Sequence, residues 1–232
     1  MATTSCTSLP EGLFVARQSC KQLVDVLQRG AANSGDAIGF TFLNDGEDDA
    51  EFLGFAELDR RARAIAARLL ARDATGSRAL LLFDPGLDYI AAFFGCLYAG
   101  VVAVPVYPLD PLRIHRTLPR LEAIIADAQA TMLLSTESIL DWVGPLLSRS
   151  SELEELMATD TIGTDDADAW SDPGIEPDWL ALLQYTSGST GSPKGVILNH
   201  ANLLHNLAQL EDLDPKGASG ANGVSGALWL PP

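Results

Sequence analysis

The chain has 232 residues, 47% of them hydrophobic, which is enough to bury a core and form one or two domains. Its formal net charge of −16 argues against a nucleic-acid-binding protein, because such proteins use clustered Lys and Arg to displace counterions from phosphate. Cys6, Cys20 and Cys96 are widely spaced and form no C-x-x-C pair, which argues against a zinc site and indicates a reducing, cytoplasmic compartment.

The first third of the chain predicts two helices and a hairpin. Residues 1–12 lack the basic and apolar segments of a signal peptide. Apolar residues at helical spacing predict a helix over 20–32. Alternating residues at 38–43 and a short run at 51–54 predict two strands joined by a turn, and residues 57–70 predict an amphipathic helix.

From residue 78 onward, strands and helices alternate. Strands are predicted at 78–83, 101–106 and 131–135, and helices at 87–99, 114–128, 137–147 and, more briefly, 152–157. Near-continuous apolar strands separated by helices predict an α/β fold, with mostly parallel sheets flanked by helices. The uncharged stretch 90–108 is long enough to raise the question of a membrane span, but Gly95, Gly100 and Pro105 interrupt it, so we expect a buried helix and then a buried strand.

The predicted organisation has four parts. They are an N-terminal helical segment (1–34), a first α/β subdomain (35–160), a linker rich in Asp, Gly and Pro (161–178) and the start of a second α/β subdomain (179–232). The last part holds predicted strands at 180–186, 195–199 and 226–230 and a helix at 201–211. The sequence stops directly after a predicted strand, at Pro231-Pro232, so we expect it to be a piece of a longer protein.

The segment Tyr185-Thr-Ser-Gly-Ser-Thr-Gly-Ser-Pro-Lys-Gly195 lies between two of these apolar strands. Its glycines let the backbone approach an anion with exposed N–H groups, its hydroxyl residues add donors, and Lys194 supplies a cation. Such a loop suits phosphate, whereas a flexible Gly/Ser linker would not be expected between two buried strands. The spacing is neither that of a Walker A loop nor that of a G-x-G-x-x-G dinucleotide fingerprint.

This segment resembles the signature loop of the adenylate-forming (AMP-binding) superfamily, which includes acyl-CoA synthetases, peptide-synthetase adenylation domains and fatty acyl-AMP ligases. Other stretches narrow the resemblance to the N-terminal part of fatty acyl-AMP ligases. They are residues 57–67, 85–100, 104–108, 116–121 and Trp229-Leu-Pro-Pro232. Two positions depart from the family pattern: Leu109 stands where a second proline is common, and Gly54 where a threonine is common.

The resemblance implies that the protein uses ATP and Mg²⁺ to convert a fatty acid to acyl-AMP, releasing pyrophosphate, and that an acyl carrier protein accepts the acyl group. The implied setting is cytoplasmic fatty acid metabolism, in lipid, polyketide or lipopeptide biosynthesis, without a membrane span. Lys194 is the implied catalytic residue. The implied nucleotide-binding residues are Thr186, Ser187, Gly188, Ser189, Thr190, Gly191, Lys194 and Gly195, with no metal ligand from the chain.

Two alternatives stay open. The chain could instead come from an acyl-CoA ligase or an amino-acid adenylation domain, or it could be a non-catalytic nucleotide-binding fragment. Because the implied adenine and ribose contacts and the C-terminal lid fall beyond residue 232, we expect this chain to be inactive alone. His115, His200 and His205 lack carboxylate partners at ligand spacing, so packing roles are expected for them rather than metal binding.

Overall fold

A computed structural model describes residues 20–44, 49–147, 150, 152–186 and 193–213, without the side chains of 210–213. Residues 187–192 of the predicted phosphate loop, the predicted strand at 226–230 and Cys6 lie outside the described residues. The helices are α1 (Leu23–Ser34), α2 (Phe55–Leu70), α3 (Leu87–Ala99), α4 (Ile114–Ala128), α5 (Glu137–Leu147) and α6 (His200–Leu213). The strands are β1 (Ile38–Leu43), β2 (Ala50–Gly54), β3 (Arg78–Leu82), β4 (Val102–Val106), β5 (Met132–Ser135), β6 (Glu155–Ala158), β7 (Leu180–Thr186) and β8 (Lys194–Asn199).

The chain forms two compact units. Of the described residues, the first unit contains those up to Arg60, Glu176–Asp178 and those from His200 to Leu213, and the second contains those within Arg61–Ile175 and Trp179–Asn199. In the first unit, β1 and β2 pair as an antiparallel hairpin, which confirms the hairpin prediction. The domain boundaries predicted at 34/35, 160/161 and 178/179 remain predictions.

A six-stranded sheet forms the centre of the second unit, in the order β6-β5-β3-β4-β7-β8. All neighbouring strands run parallel except β8, which is antiparallel to β7. The strands β3, β4 and β5 are buried almost throughout, as their continuous apolar runs require. The predicted α/β class with a mostly parallel sheet is confirmed, and the stretch 90–108 contains most of α3 followed by β4.

Among the described residues, no helix is both long and apolar enough to traverse a lipid bilayer.

The core under one face of this sheet is built from α4 and α5. Leu121, Ile124, Ile125 and Val143 pack against inward-facing residues of β3, β4 and β5. Leu183 and Tyr185 of β7 belong to the same cluster, because residues two apart on a strand share a face. The end of β7 is therefore fixed by the core of the sheet.

The prediction of a helix at 152–157 is wrong. Residues Glu155–Ala158 form β6, an edge strand whose register runs from Met132↔Glu155 to Ser135↔Ala158. The segment is short, so backbone pairing with the open edge of β5 outweighs local helix preference. Met157 is buried on one face of the sheet, whereas Leu156 on the other is 41% exposed.

The acidic segment between β6 and β7 carries side chains that pack within the second unit. A 3-10 turn spans Thr164–Ala169. The indole N–H of Trp170 donates to the carbonyl of Tyr98 at 3.1 Å, and the two rings meet edge-on. Ile175 is also buried.

Replacing Gly95 with alanine is expected to destabilise the protein by about 1–2 kcal/mol. A Cβ at this position would stand 2.6 Å from Cγ2 and 2.8 Å from Cβ of Ile65, which is 3% exposed and has no room to retreat. Overpacking lowers the free energy of unfolding by about 1–3 kcal/mol, and the better helix propensity of alanine offsets at most about 1 kcal/mol of this loss. Denaturant unfolding measures the difference.

Gly163→Ala is the matched control for that substitution. Gly163 has φ −70° and ψ 145°, which alanine adopts freely, and no atom lies within 4 Å of the position that an added Cβ would occupy. We expect its effect to be neutral or slightly stabilising. Equal losses in both variants would show that the close packing of α3 on Ile65 does not set the cost.

Candidate functional site

The predicted phosphate loop is held by the hairpin of β7 and β8. Thr186 and Lys194 are direct cross-strand partners at the end of this hairpin, and Tyr185 pairs with Gly195. Both Thr186 and Lys194 are exposed. The hydroxyl-bearing residue and the cationic residue that flank the loop in sequence are thus brought to one end of the sheet.

Three of the eight predicted nucleotide-binding residues are described, namely Thr186, Lys194 and Gly195. Ser187, Gly188, Ser189, Thr190 and Gly191 lie outside the described residues. Within the described part of the chain, Lys194 makes no ion pair with a carboxylate. An exposed ammonium without an internal counter-ion is suited to an external anion such as phosphate.

Tyr185 of β7 contacts the backbone of the neighbouring strand β8. Its ring lies across the backbone of Gly195, where an added Cβ would meet the ring carbon Cζ at 3.1 Å. Its hydroxyl donates to Oδ2 of Asp127, near the end of α4, at 2.5 Å. The side chain is only 7% exposed. A larger residue at position 195 would therefore force the Tyr185 ring to shift by a few tenths of an ångström.

Burial raises the pKa of Tyr185, and the hydrogen bond to Asp127 and the charge of that carboxylate raise it further, against a smaller lowering by Arg78. The hydroxyl consequently stays protonated at neutral pH and remains a donor. Arg78 itself donates to the side chain of Gln129 at 3.1 Å, just beyond α4.

Sequence reasoning missed the role of Tyr185 and Asp127. The motif includes Tyr185 only as its first letter, and Asp127 lies 58 residues earlier in the chain. No local spacing links the two positions. The only available signal was a polar residue at the end of an amphipathic helix, which is common on any solvent-facing turn.

The described residues contain no cluster of three or more His, Cys, Asp or Glu side chains that could hold a metal ion. His115 and His205 are exposed, while His200 is 1% exposed and begins α6. Its Nδ1 atom has no hydrogen-bond partner among the described residues.

Burial lowers the pKa of His200 from 6.5 to about 4, partly offset by the charge of Asp25. Because the folded-state pKa lies below the unfolded value, the stabilisation is complete above pH 6.5 and is lost as the pH falls toward 4. Between pH 7.5 and 4.5 the protonation of His200 should lower the free energy of unfolding by about 2–3 kcal/mol. The measurement is the free energy of unfolding at the two pH values.

His200→Leu should remove this part of the acid sensitivity. His205→Leu deletes an exposed histidine from the same helix and should leave the loss unchanged. If the two variants lose equal stability on acidification, buried His200 is not the group responsible.

A mostly parallel sheet, whose last two strands flank a glycine- and hydroxyl-rich sequence with one lysine, is typical of α/β enzymes that bind phosphate groups. The chain belongs to the AMP-binding enzyme family, whose family model matches residues 27–227. The predicted membership of the adenylate-forming superfamily is therefore confirmed.

Several relatives are ligases of fatty acids. The chain is 46% identical over 193 residues to the medium-chain-fatty-acid–[acyl-carrier-protein] ligase JamA of Moorena producens, covering 82% of this chain and 33% of the relative. It is 34% identical over 217 residues to the long-chain-fatty-acid–AMP ligase FadD32 of Mycolicibacterium smegmatis, covering 90% of this chain and 33% of the relative. The chain thus spans about a third of the length of the curated relatives it matches.

A solved structure shares the fold. The fatty acyl-adenylate ligase from L. pneumophila, crystallised with acyl adenylate and pyrophosphate, matches with a TM-score of 0.74 and 37% identity. The match covers 84% of this chain and 33% of that chain. This agreement supports the resemblance to the N-terminal part of such ligases.

Proposed function

We propose that the protein activates a fatty acid with ATP, forming acyl-AMP and pyrophosphate, and transfers the acyl group to an acyl carrier protein. The observation that carries the proposal is the hairpin, which pairs Thr186 with Lys194 at the end of the sheet. The names of the relatives support the fatty acid as the substrate class. The proposed setting is the cytoplasm, where the thiols of Cys20 and Cys96, which form no disulfide, would stay reduced.

In the proposed reaction the fatty acid carboxylate attacks the α-phosphorus of ATP, a new C–O–P linkage forms, and the bond to pyrophosphate breaks. Charge builds on the leaving pyrophosphate, so the main task of the protein is positioning and charge neutralisation. Lys194 would offset this charge together with Mg²⁺. The proposed phosphate-binding residues are Thr186, Ser187, Gly188, Ser189, Thr190, Gly191, Lys194 and Gly195.

The side chains at the end of the hairpin are of the types that bind a polyphosphate. Exposed Thr186 supplies a hydroxyl donor and exposed Lys194 a positive charge, and neither is engaged by a carboxylate within the described residues. Because the whole chain carries a charge of −16, a local cation is needed to hold an anionic nucleotide.

The test is pyrophosphate exchange with ATP, measured with a panel of fatty acids and amino acids. It is run on this chain and on a longer version that includes the roughly two-thirds of the relatives' length that it lacks. We expect exchange with fatty acids in the longer version only. Exchange driven by amino acids would assign an adenylation domain instead.

A second assay separates the acceptors. The acyl-AMP formed by the longer version is offered an acyl carrier protein or free CoA, and the thioester products are quantified. We expect acylated carrier protein. Preferential formation of acyl-CoA would contradict the carrier step while leaving the adenylation step intact, and no exchange with any acid would favour a non-catalytic fragment.

A further inference from the structure

The beginning of α4 presents a row of arginines on the surface of the second unit. Arg113, Arg116 and Arg120 are spaced three and four residues apart, so they lie on one face of the helical segment. All three are exposed, whereas Leu121 and Ile125, which lie on another face of the helix, are buried in the core. We call these three residues the arginine stripe. At 1.5 Å per residue it is about 10 Å long.

The arginine stripe differs from the arginines of α2 in its ion pairs. Four arginines in α2 and just after it each lie against a carboxylate: Arg60 against Glu57, Arg61 against Asp88, Arg68 against Asp166 and Arg72 against Glu155. In the stripe, Arg113 alone approaches a carboxylate, that of Asp110 at 3.6 Å. Arg116 and Arg120 have no carboxylate partner within the described part of the chain.

This difference is informative because acids outnumber bases by 31 to 15 in the sequence. Carboxylates are available, yet none in the described ranges is placed against these two neighbouring, exposed guanidinium groups. Within a Debye length of about 8 Å the local charge, not the distant acidic surface, governs what can approach. The stripe is therefore a local positive surface on an acidic protein.

Apolar side chains flank the stripe. Leu112, directly before Arg113, is 90% exposed, and Tyr107 is 57% exposed. The guanidinium of Arg120 lies 5.9 Å from the centre of the Tyr107 ring, an arrangement that limits the orientations of both side chains. Arginine and tyrosine beside an exposed leucine are the composition of a protein-binding surface rather than of a site for a lone ion.

We propose that the arginine stripe, with Leu112 and Tyr107, docks an acidic helical surface of the acyl carrier protein that receives the acyl group. This inference rests on the proposed function, which requires such an acceptor. Guanidinium groups bind carboxylates in a bidentate manner, so three of them along about 10 Å match acidic residues repeated along a helix. A nucleic acid is disfavoured, because its continuous backbone charge would extend beyond the stripe over an acidic surface.

The test uses the full-length protein and its cognate acyl carrier protein. Arg116→Glu, Arg120→Glu and the double variant are compared with Arg60→Glu, an exposed arginine already paired within α2. We expect the double variant to raise the KM for the carrier five- to tenfold, while pyrophosphate exchange stays within twofold of the parent. The carrier KM of the parent should also rise with salt, and that of the double variant should depend less on salt.

Direct binding of the unacylated carrier, measured by titration calorimetry on the same variants, tests the surface without catalysis. Carrier affinity unchanged in the double variant would overturn the proposal, as would a loss of equal size in Arg60→Glu. A raised KM for ATP with unchanged carrier affinity would also overturn it, because the stripe would then serve the nucleotide. A parent that binds carrier through the stripe but forms no acyl-AMP would contradict the proposed function alone.

Discussion

Replacing Lys194 with alanine in the full-length protein is expected to slow fatty acyl-AMP formation about 10²- to 10³-fold. Lys194 begins β8 opposite Thr186, is exposed, and makes no ion pair with a carboxylate within the described residues. Its charge is therefore available to the pyrophosphate that would leave in the proposed reaction. Because the side chain supports no core packing, the loss should come from chemistry and not from unfolding.

Pyrophosphate exchange at saturating fatty acid measures this effect, together with a thermal melt of each variant. Lys21→Ala is the matched control, since Lys21 is an exposed lysine in the first unit. Lys194→Arg keeps the charge and should recover part of the rate, with the remainder lost to the different shape of the guanidinium. An exchange rate in Lys194→Ala equal to that of Lys21→Ala would remove Lys194 from the mechanism.

The alternating strands and helices of the second unit could be predicted closely from the sequence. The predicted bounds of helices α3, α4 and α5 agree with those of the structure, because each is a continuous amphipathic or apolar run ended by turn residues. Gly100 illustrates the point: it adopts φ 67°, which favours glycine, and ends α3 where the pattern predicts. In these three helices the buried residues belong to the apolar pattern from which the sequence predicts a helix.

Where the fold depends on distant partners, the sequence was less informative. Residues Glu155–Ala158 form a strand only because β5 offers an open edge, which no local pattern reveals. The contact of Tyr185 with Asp127 is likewise a property of the folded chain, as is the lack of carboxylates against Arg116 and Arg120 within the described ranges. The loop motif predicts a phosphate site, which stays a prediction, and gives no sign of the contacts of the flanking strand residue Tyr185.

Removing the hydroxyl of Tyr185 tests whether its hydrogen bond to Asp127 positions the ends of β7 and β8 that flank the predicted phosphate loop. We expect Tyr185→Phe in the full-length protein to lower kcat/KM for ATP about 10- to 150-fold. A hydrogen bond to a charged acceptor contributes about 1.5–3 kcal/mol, and each 1.36 kcal/mol lost at the site costs about tenfold. The KM for the fatty acid should change little, because the hairpin stem leads into the phosphate loop.

Two further variants change the residues that Tyr185 contacts, namely Gly195 and Asp127. Gly195→Ala places a methyl group 3.1 Å from the Tyr185 ring, so the ring must shift and weaken its bond to Asp127. Asp127→Asn keeps an acceptor without the charge and should give a smaller loss than Tyr185→Phe. If the KM for ATP rises in the order of the expected weakening of the hydrogen bond between Tyr185 and Asp127, the effect comes from this bond. A KM that follows only the loss of stability would show that it does not.

Tyr89→Phe is the matched control, since the buried hydroxyl of Tyr89 has no hydrogen-bond partner among the described residues. Removing it deletes the same atom from the same unit without breaking a contact, so activity should stay near that of the parent and stability should not fall. If Tyr185→Phe and Tyr89→Phe show the same kinetics, the bond to Asp127 does not position the loop. If Tyr185→Phe lowers stability yet leaves the KM for ATP unchanged, its role is confined to the core of the sheet.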